Sequence, residues 1–311
     1  MTKIDLIREK ARQNPKKIVL PEGKEKRVIE AASIVEKEGI AKVILLRKTE
    51  THPRLEEIVQ TFWNLRKHKG ISIDQAREYV LKEPVYFAAL MTQLGMADGF
   101  VAGASHTTPD VARAAIHCLK IDRKIRVVSS SFIIELENCP FGENGLFVFG
   151  DCGIVPNPTS LQLAGIALSS GMLLKRLFDV EPRAALLSYS TKGSAGGESV
   201  DKVLEALKII REKDPDFLVD GELQLDAAII PEVAGIKSPG SPVAGRANVL
   251  IFPNLDAGNI SYKLIQRLGN GRVVGPILQG ITKPASDLSR GCSVEEIVDA
   301  VAVTVVRAQN R

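Results

Sequence analysis

The chain has 311 residues, more than one compact core usually carries, so its length predicts two domains. Hydrophobic residues make up 45% and charged residues 25%, as in an ordinary globular protein, and the chain has no run of about 18 apolar residues that would span a membrane. Lys and Arg number 41 against 37 Asp and Glu, a balance too even for a nucleic-acid-binding protein, and aromatic residues at 5% are too few for a base-stacking surface.

The cysteines and the N-terminal segment indicate the compartment. None of the four cysteines forms a C-x-x-C pair, and no histidine lies at zinc-site spacing from one. The segment MTKIDLIREKARQ is charged and amphipathic and lacks the apolar core of a signal peptide. We therefore expect reduced thiols, no bound metal and a cytoplasmic location.

Short β-branched runs alternate with segments of helical period over the first part of the chain. The pattern predicts a strand at 16–21, a helix at 24–39, a strand at 41–46, helices at 53–65 and 73–95, a strand at 97–104 and a helix at 109–119. Such alternation is typical of βαβ units and a largely parallel sheet.

The pattern changes at the middle of the chain. Two strands are predicted at 127–136 and 145–151 with only the turn-forming segment NCPFGEN between them, which indicates an antiparallel pair near a domain junction. The alternation then resumes with a helix at 159–178, a strand at 184–190, a helix at 199–213, a helical stretch at 226–235, a strand at 248–253 and a last helix at 293–309.

The segment GASHTTPDVARAAI (103–116) leads from a strand into a helix. Thr108 is a suitable N-cap with Pro109 at the first helical position, and helix N-termini attract anions. Arg113, one turn further on, adds donors for a phosphate, so we predict that Thr107, Thr108 and Arg113 contact substrate. The alternative is an ordinary capped helix with a surface arginine. Ser105 resembles a nucleophile elbow, but the closing glycine of that motif is absent.

The segment LSYSTKGSAGGESVDKV (187–203) joins a strand to a helix through a Ser- and Gly-rich turn. Its glycines allow backbone N–H groups to converge on an anion, and we place Ser190, Gly193 and Ser194 among the substrate-binding residues. The segment is neither a P-loop nor a G-x-G-x-x-G turn. A plain connecting loop is the alternative.

The segment SDLSRGCSVEEIVDA (286–300) begins the last predicted helix. Ser293 and Glu296 have the spacing of a capping box. Ser289 and Arg290 are not needed for capping, and together with Glu296 they offer a hydroxyl, a cation and a base. Glu296 therefore has two interpretations, a catalytic base or a helix cap.

Several long strings resemble the phosphate acetyltransferase (phosphotransacetylase) family. They are VAGASHTTPDVAR, NPTSLQLAGIAL, LSYSTKGSAGGES, SPGSPVAGRANVLIFP, GPILQGITKPASDLSRGCS and the closing helix, and the resemblance runs from residue 16 to the end. It implies reversible acetyl transfer between coenzyme A and inorganic phosphate. Acetyl-CoA or CoA and phosphate or acetyl phosphate are then the partners, coenzyme A is a substrate, and no metal or other cofactor takes part.

The resemblance also implies an architecture. Members are homodimers of a subunit with two three-layer α/β domains and a cleft between them, similar to the isocitrate/isopropylmalate dehydrogenase fold. We place the first domain at 1–128 plus 288–311 and the second at 129–287.

Site residues are carried over by position. The family's catalytic serine and arginine correspond to Ser289 and Arg290, and Arg113 and Arg66 match substrate-binding arginines. Cys139 matches a position near the CoA site. The proposed general base of the family is an aspartate, and Glu296, one methylene longer, stands in its place, so the resemblance leaves both interpretations of Glu296 open.

Three alternatives remain open at this point. A phosphate butyryltransferase would differ only in acyl-pocket width. A metal- and NAD-dependent hydroxy-acid dehydrogenase of the same fold would need clustered aspartates and a nicotinamide site, and neither motif is found. A non-catalytic module would be expected to lose Ser289 or Arg290, and both are present.

Overall fold

The structure is a computed structural model that describes residues 2–309. The strands are β1 Lys17–Leu20, β2 Lys42–Leu45, β3 Gly99–Ala102, β4 Ser129–Glu135, β5 Leu146–Gly150, β6 Arg183–Leu187, β7 Leu218–Leu223, β8 Val249–Ile251, β9 Arg272–Gln279 and β10 Ala285–Asp287. The helices are α1 Lys3–Gln13, α2 Lys26–Lys37, α3 Leu55–Arg66, α4 Ile73–Lys82, α5 Pro84–Gln93, α6 Thr108–Cys118, α7 Ser160–Phe178, α8 Glu198–Glu212, α9 Leu225–Ile229, α10 Pro231–Lys237, α11 Leu255–Leu268 and α12 Val294–Gln309.

The chain forms two compact units. One comprises the chain up to Ile121 and from Ile281 on, and the other is Asp122–Gly280. Strand β10 lies before the boundary predicted at 288, yet it belongs to the first unit because its residues pair with β3.

In the first unit, four parallel strands follow the order β2-β1-β3-β10. All residues of β3 are buried, as expected for a central parallel strand covered on both faces. One helix layer consists of α1, α2 and α12, and the other of α3 to α6. Because the strands are parallel, the loops that follow β1, β3 and β10 emerge at one edge of the sheet.

In the second unit, the strand order is β9-β4-β5-β8-β6-β7. Strand β4 is antiparallel to both β5 and β9, and the remaining pairs are parallel. The predicted antiparallel pair is therefore confirmed. Helices α7 and α8 pack together, while α9 and α11 contribute to an aromatic core with Phe132, Phe149 and Tyr262. The mixed α/β class predicted from the sequence is confirmed.

Two predicted helices are divided by proline. The helix predicted at 73–95 is two helices, because Pro84 lacks a backbone N–H and Glu83 before it takes a non-helical conformation. Pro231 divides the stretch at 226–235 in the same way. Five helices and strands were not predicted: α1, β7, α11, β9 and β10. Within residues 2–309, every helix is too short or too polar to cross a membrane.

Candidate active site

Three loops lie at the carboxyl edge of the first unit's sheet: 21–25 after β1, 103–107 after β3 and 288–293 after β10. Arg27, in the first turn of α2, holds two of them. Its Nη1 donates to the backbone oxygens of Arg290 (2.9 Å) and Cys292 (2.8 Å), and its Nη2 donates to that of Ala104 (3.0 Å). The guanidinium therefore fixes the backbone around Arg290.

Sequence reasoning missed Arg27. The available signal is its place in the first turn of a helix, where the helix dipole disfavours a cation that has no partner. In the structure the cation is compensated by backbone carbonyls and by Glu25, whose Oε1 accepts from its Nε at 3.0 Å.

Ser289 and Arg290 lie in a tight, exposed turn. The Ser289 carbonyl accepts from the Cys292 N–H (2.9 Å), and the Ser289 hydroxyl accepts from the Gly291 N–H (3.3 Å). Among residues 2–309, no side chain or carbonyl pairs with the Arg290 guanidinium. An exposed hydroxyl and an uncompensated cation are thus neighbours on one turn, which suits a bound anion.

The predicted capping box is present at the start of α12. The Ser293 N–H donates to Glu296 Oε2 (2.8 Å), and the Glu296 N–H donates to the Ser293 hydroxyl (3.2 Å). Glu296 is only half-buried, so its carboxylate is also within reach of solvent. Its role as a base stays a prediction.

The start of α6 differs from the prediction. Thr107, and not Thr108, is the N-cap, and its hydroxyl and N–H donate to Asp110 at 2.6 and 3.3 Å. The Thr108 hydroxyl instead donates a hydrogen bond to Asp287 Oδ2 (2.5 Å), so it is not available for capping. Both threonine hydroxyls are therefore engaged within the unit.

The loop after β3 surrounds a carboxylate of the protein itself. Glu22, which is 5% exposed, accepts from the N–H groups of Gly103, Ala104, Ser105 and His106 at 2.7–3.1 Å. It also accepts from the Ser105 hydroxyl (2.9 Å) and contacts His106 Nδ1 (2.7 Å). The N–H groups that could bind an anion in this loop are already satisfied.

The charges of this pair support each other. Burial alone would raise the pKa of Glu22, but hydrogen bonds from His106 and Ser105 outweigh it and lower that pKa. The hydrogen bond to Glu22 in turn raises the pKa of His106. Sequence reasoning also missed Glu22, although its position two residues after the end of the buried strand β1 indicates a functional edge of the sheet.

The predicted arginines Arg113 and Arg66 lie on two helices that contact each other, α6 and α3. Arg113 is half-exposed and pairs with Asp110 at 3.1 Å. Arg66 lines a cavity of about 440 Å³ together with Tyr79, Lys82 and His117, among others. Burial is the main reason for the lowered pKa of His117, and the charges of both arginines contribute, so both lie within electrostatic range of this ring.

The Ser- and Gly-rich loop of the second unit also surrounds a carboxylate. Glu222, in β7, accepts from the Ser190 hydroxyl (2.9 Å) and the Gly193 N–H (2.7 Å). The Ser190 oxygen accepts from the Ala195 N–H (3.0 Å), and the Ser194 oxygen accepts from the Thr191 N–H (3.0 Å). These groups brace the loop internally.

The predicted residues are divided between the units. The first unit holds Ser289, Arg290, Glu296, Thr107, Thr108, Arg113 and Arg66, and the second holds Ser190, Gly193, Ser194 and Cys139. Cys139 is half-buried against the aromatic core of its unit, and all four cysteines are free thiols.

These features define a class: an α/β enzyme with a cationic, hydroxyl-bearing turn at the carboxyl edge of a parallel sheet. The chain belongs to the phosphate acetyl/butaryl transferase family, whose model matches residues 3–305. A phosphate acetyltransferase from Thermoanaerobacterium thermosaccharolyticum is 49% identical over 329 aligned positions, covering 99% of this chain and all of the relative.

Solved structures agree with this assignment. A phosphotransacetylase from Streptococcus pyogenes superposes with a TM-score of 0.91 at 37% identity, covering 99% of this chain and 98% of that one. A protein described as a 4-hydroxythreonine-4-phosphate dehydrogenase from Salmonella typhimurium shares the fold, with a TM-score of 0.51 at 12% identity over 94% of this chain and 99% of that one. The predicted family is confirmed, and the dehydrogenase alternative is not favoured because only the fold is shared.

Proposed function

We propose that the protein reversibly transfers an acetyl group between coenzyme A and inorganic phosphate. The family membership and the names of the relatives support this reaction. The structural observation that carries it is the exposed Ser289–Arg290 turn, whose guanidinium is uncompensated among the described residues. A phosphoryl group supplies the anion that such a turn is suited to hold.

The proposed mechanism proceeds in a ternary complex. A base takes the proton of the CoA thiol, because the thiolate is the nucleophile. The thiolate attacks the carbonyl carbon of acetyl phosphate, and the tetrahedral oxyanion accepts hydrogen bonds from Ser289 or from backbone N–H groups of its turn. The C–O bond to phosphate then breaks, which gives acetyl-CoA and inorganic phosphate. One oxyanion donor contributes about 3 kcal/mol.

Within this mechanism, Arg290 and Arg113 hold the phosphate and stabilise the charge that it carries away. Arg66 is proposed to contribute to substrate binding from the same unit. Thr107 and Thr108 are proposed to contribute through their position at the start of α6, since their hydroxyls are held by Asp110 and Asp287. Ser190, Gly193 and Ser194 are proposed to act from the second unit, and Cys139 is proposed to lie near CoA. Coenzyme A is a substrate, and no separate cofactor or metal takes part.

Glu296 is the proposed base, and a single substitution separates its two roles. In Glu296→Gln the amide oxygen still accepts from the Ser293 N–H, so the urea midpoint should stay close to that of the wild type. Loss of the base should lower kcat by about 10²- to 10⁴-fold. A variant that loses stability but keeps kcat would leave Glu296 as a cap only.

The reaction itself is tested by incubating the protein with phosphate and a panel of acyl-CoAs and following the release of free thiol. We expect phosphate-dependent thiol release from acetyl-CoA, fastest among the panel. A preference for butyryl-CoA would favour the wider-pocket alternative, and no phosphate-dependent release from any acyl-CoA would refute the proposal.

We further propose a cytoplasmic homodimer. Helix α11 carries Ile260, Leu264 and Leu268 at four-residue spacing, with exposures of 57%, 51% and 78%, a stripe that a second copy of the chain would cover. Light scattering after size exclusion should give a dimer, and Leu264→Glu should shift it toward monomer. A monomeric wild-type protein would contradict this proposal.

A further inference from the structure

Asp287, the last residue of β10, is a fully buried acid in the segment that leads to Ser289 and Arg290. Its Oδ2 accepts from the Thr108 hydroxyl (2.5 Å), while no group within residues 2–309 donates to its Oδ1. Gly103 lies directly against this oxygen, and a Cβ at Gly103 would overlap it. The fold has thus accommodated a carboxyl group whose charged form is poorly compensated.

The charged groups around Asp287 are committed elsewhere. Glu22 is itself an anion held by the loop after β3, and His106 pairs with it. Arg27 donates to backbone carbonyls and to Glu25, and burial raises the pKa of the Cys292 thiol to about 11, so that it stays neutral. Arg290, two residues after Leu288, is exposed.

The buried position of Asp287 favours its neutral form. Burial raises the pKa of Asp287 to about 7, although the hydrogen bond from Thr108 opposes this rise, and the Glu22 charge adds to it. The carboxyl group therefore gains or loses its proton near neutral pH.

Asp287 also connects two substrate-binding segments. It directly precedes the Leu288–Cys292 turn that carries Arg290. Its hydrogen-bond partner Thr108 is the first residue of α6, the helix that carries Arg113. The Asp287–Thr108 contact thus joins the segment of one proposed phosphate-binding arginine to the helix of the other.

We propose that Asp287 is a positioning residue and that phosphate binds to the enzyme when this carboxyl group is protonated. This proposal rests on the proposed function. A buried negative charge two residues before Ser289 opposes an incoming phosphate, whereas the neutral acid keeps the contact with Thr108 without that charge. Phosphate binding and proton uptake at Asp287 are then linked, each favouring the other.

The test measures KM for phosphate and kcat from pH 5.5 to 9 in the wild type and in Asp287→Asn, whose amide imitates the neutral acid. The ratio of the two KM values cancels the ionisation of phosphate itself. We expect the KM of the wild type divided by that of Asp287→Asn to be near one at pH 6 and to rise to about ten by pH 8. The reason is that the fraction of wild-type enzyme with a protonated Asp287 falls above pH 7. The ratio of kcat values should stay constant with pH.

Asp98→Asn is the matched control, since Asp98 is an exposed acid in the same unit just before the start of β3. Its KM ratio to the wild type should be independent of pH. A pH-independent ratio for Asp287→Asn as well would overturn the proposal, provided that the enzyme transfers acetyl groups to phosphate at all.

A second measurement does not depend on activity. The folded-state pKa of Asp287 lies above its usual value of 3.8, so its ionisation destabilises the native state as pH rises from about 4 to 7. The Tm of Asp287→Asn minus that of the wild type should therefore increase over this range and level off above it. Thr108→Val removes the hydrogen bond that opposes the rise in the pKa. It should therefore shift the midpoint of this pH dependence to higher pH, and Thr108→Ser should restore the wild-type midpoint.

The two measurements separate the failures. If the protein transfers no acetyl group but the Tm difference depends on pH, the proposed function is refuted while the inferred proton exchange of Asp287 stands. The proton exchange of Asp287, and with it the linkage to phosphate, would be refuted by two results together: a Tm difference for Asp287→Asn that does not change with pH, and a Thr108→Val variant whose pH dependence is that of the wild type.

Discussion

The loop after β3 and the loop between β6 and α8 are similar in composition but differ in how they bind a buried carboxylate. Both are rich in small residues, and both surround a buried glutamate. Glu22 uses both carboxylate oxygens on four backbone N–H groups, a hydroxyl and an imidazole. Glu222 accepts hydrogen bonds through one carboxylate oxygen, from one backbone N–H and one hydroxyl.

In both loops a carboxylate of the protein itself occupies a position that would suit a bound anion. In each loop an internal carboxylate satisfies groups that the sequence pattern assigns to a ligand. The cations differ as well: Lys192 of the second loop pairs with the buried Asp220 at 2.8 Å, whereas Arg290 of the first unit has no such partner among residues 2–309. The uncompensated cation, more than the loop, marks the site.

The largest expected effect tests this contrast between cations. Arg290→Ala should lower kcat/KM for acetyl phosphate by about 10²- to 10³-fold, since it removes a charge that stabilises the departing phosphate. Lys192→Ala should leave kcat/KM within a few fold. It should instead lower the urea midpoint, because Asp220 loses one of its partners. Steady-state kinetics and urea unfolding of both variants check this, and equal kinetic losses would remove the contrast.

The next effect concerns Glu22 and stability. In Glu22→Gln one oxygen becomes an NH₂ group facing backbone donors, which should cost about 3 kcal/mol of unfolding free energy. The folded-state pKa of Glu22 is lowered from its usual value of 4.5, so its contribution is complete above that pH and is lost as pH falls through the lowered pKa.

Urea unfolding at pH 7 and at pH 3.5 measures this dependence. The gap between wild type and Glu22→Gln should be wider at pH 7. Glu30→Gln, an exposed glutamate of α2, is the control and should show no gap at either pH. A Glu22→Gln protein as stable as the wild type at pH 7 would mean that the loop does not depend on the carboxylate.

Local features of this fold could be predicted from the sequence, and distant partnerships could not. The β/α alternation and the Ser293–Glu296 capping box depend on neighbouring residues, so their patterns were sufficient. Glu22 meets its partners 81 to 84 positions along the chain, and Arg27 meets those near Arg290 more than 260 positions away. No periodicity encodes such contacts, which is why the two residues that organise the site were missed.

Strand β7 was missed for the same reason, because its acidic residues depend on partners elsewhere in the chain. Its sequence LVDGEL places Asp220 and Glu222 inside a buried strand, which contradicts the apolar pattern of a parallel strand. The contradiction disappears only when the loop between β6 and α8 is known, because that loop supplies Lys192, Ser190 and the Gly193 N–H.

The smallest expected effect completes the comparison of the two glutamates. In Glu222→Gln the amide oxygen can still accept from the Ser190 hydroxyl and the Gly193 N–H, so the loss should be only about 1 kcal/mol. Glu205→Gln, an exposed position on α8, provides the matched control in urea unfolding. If Glu222→Gln costs as much as Glu22→Gln, the number of N–H donors around each carboxylate does not set its importance. The two loops would then be equivalent in energy despite their different contacts.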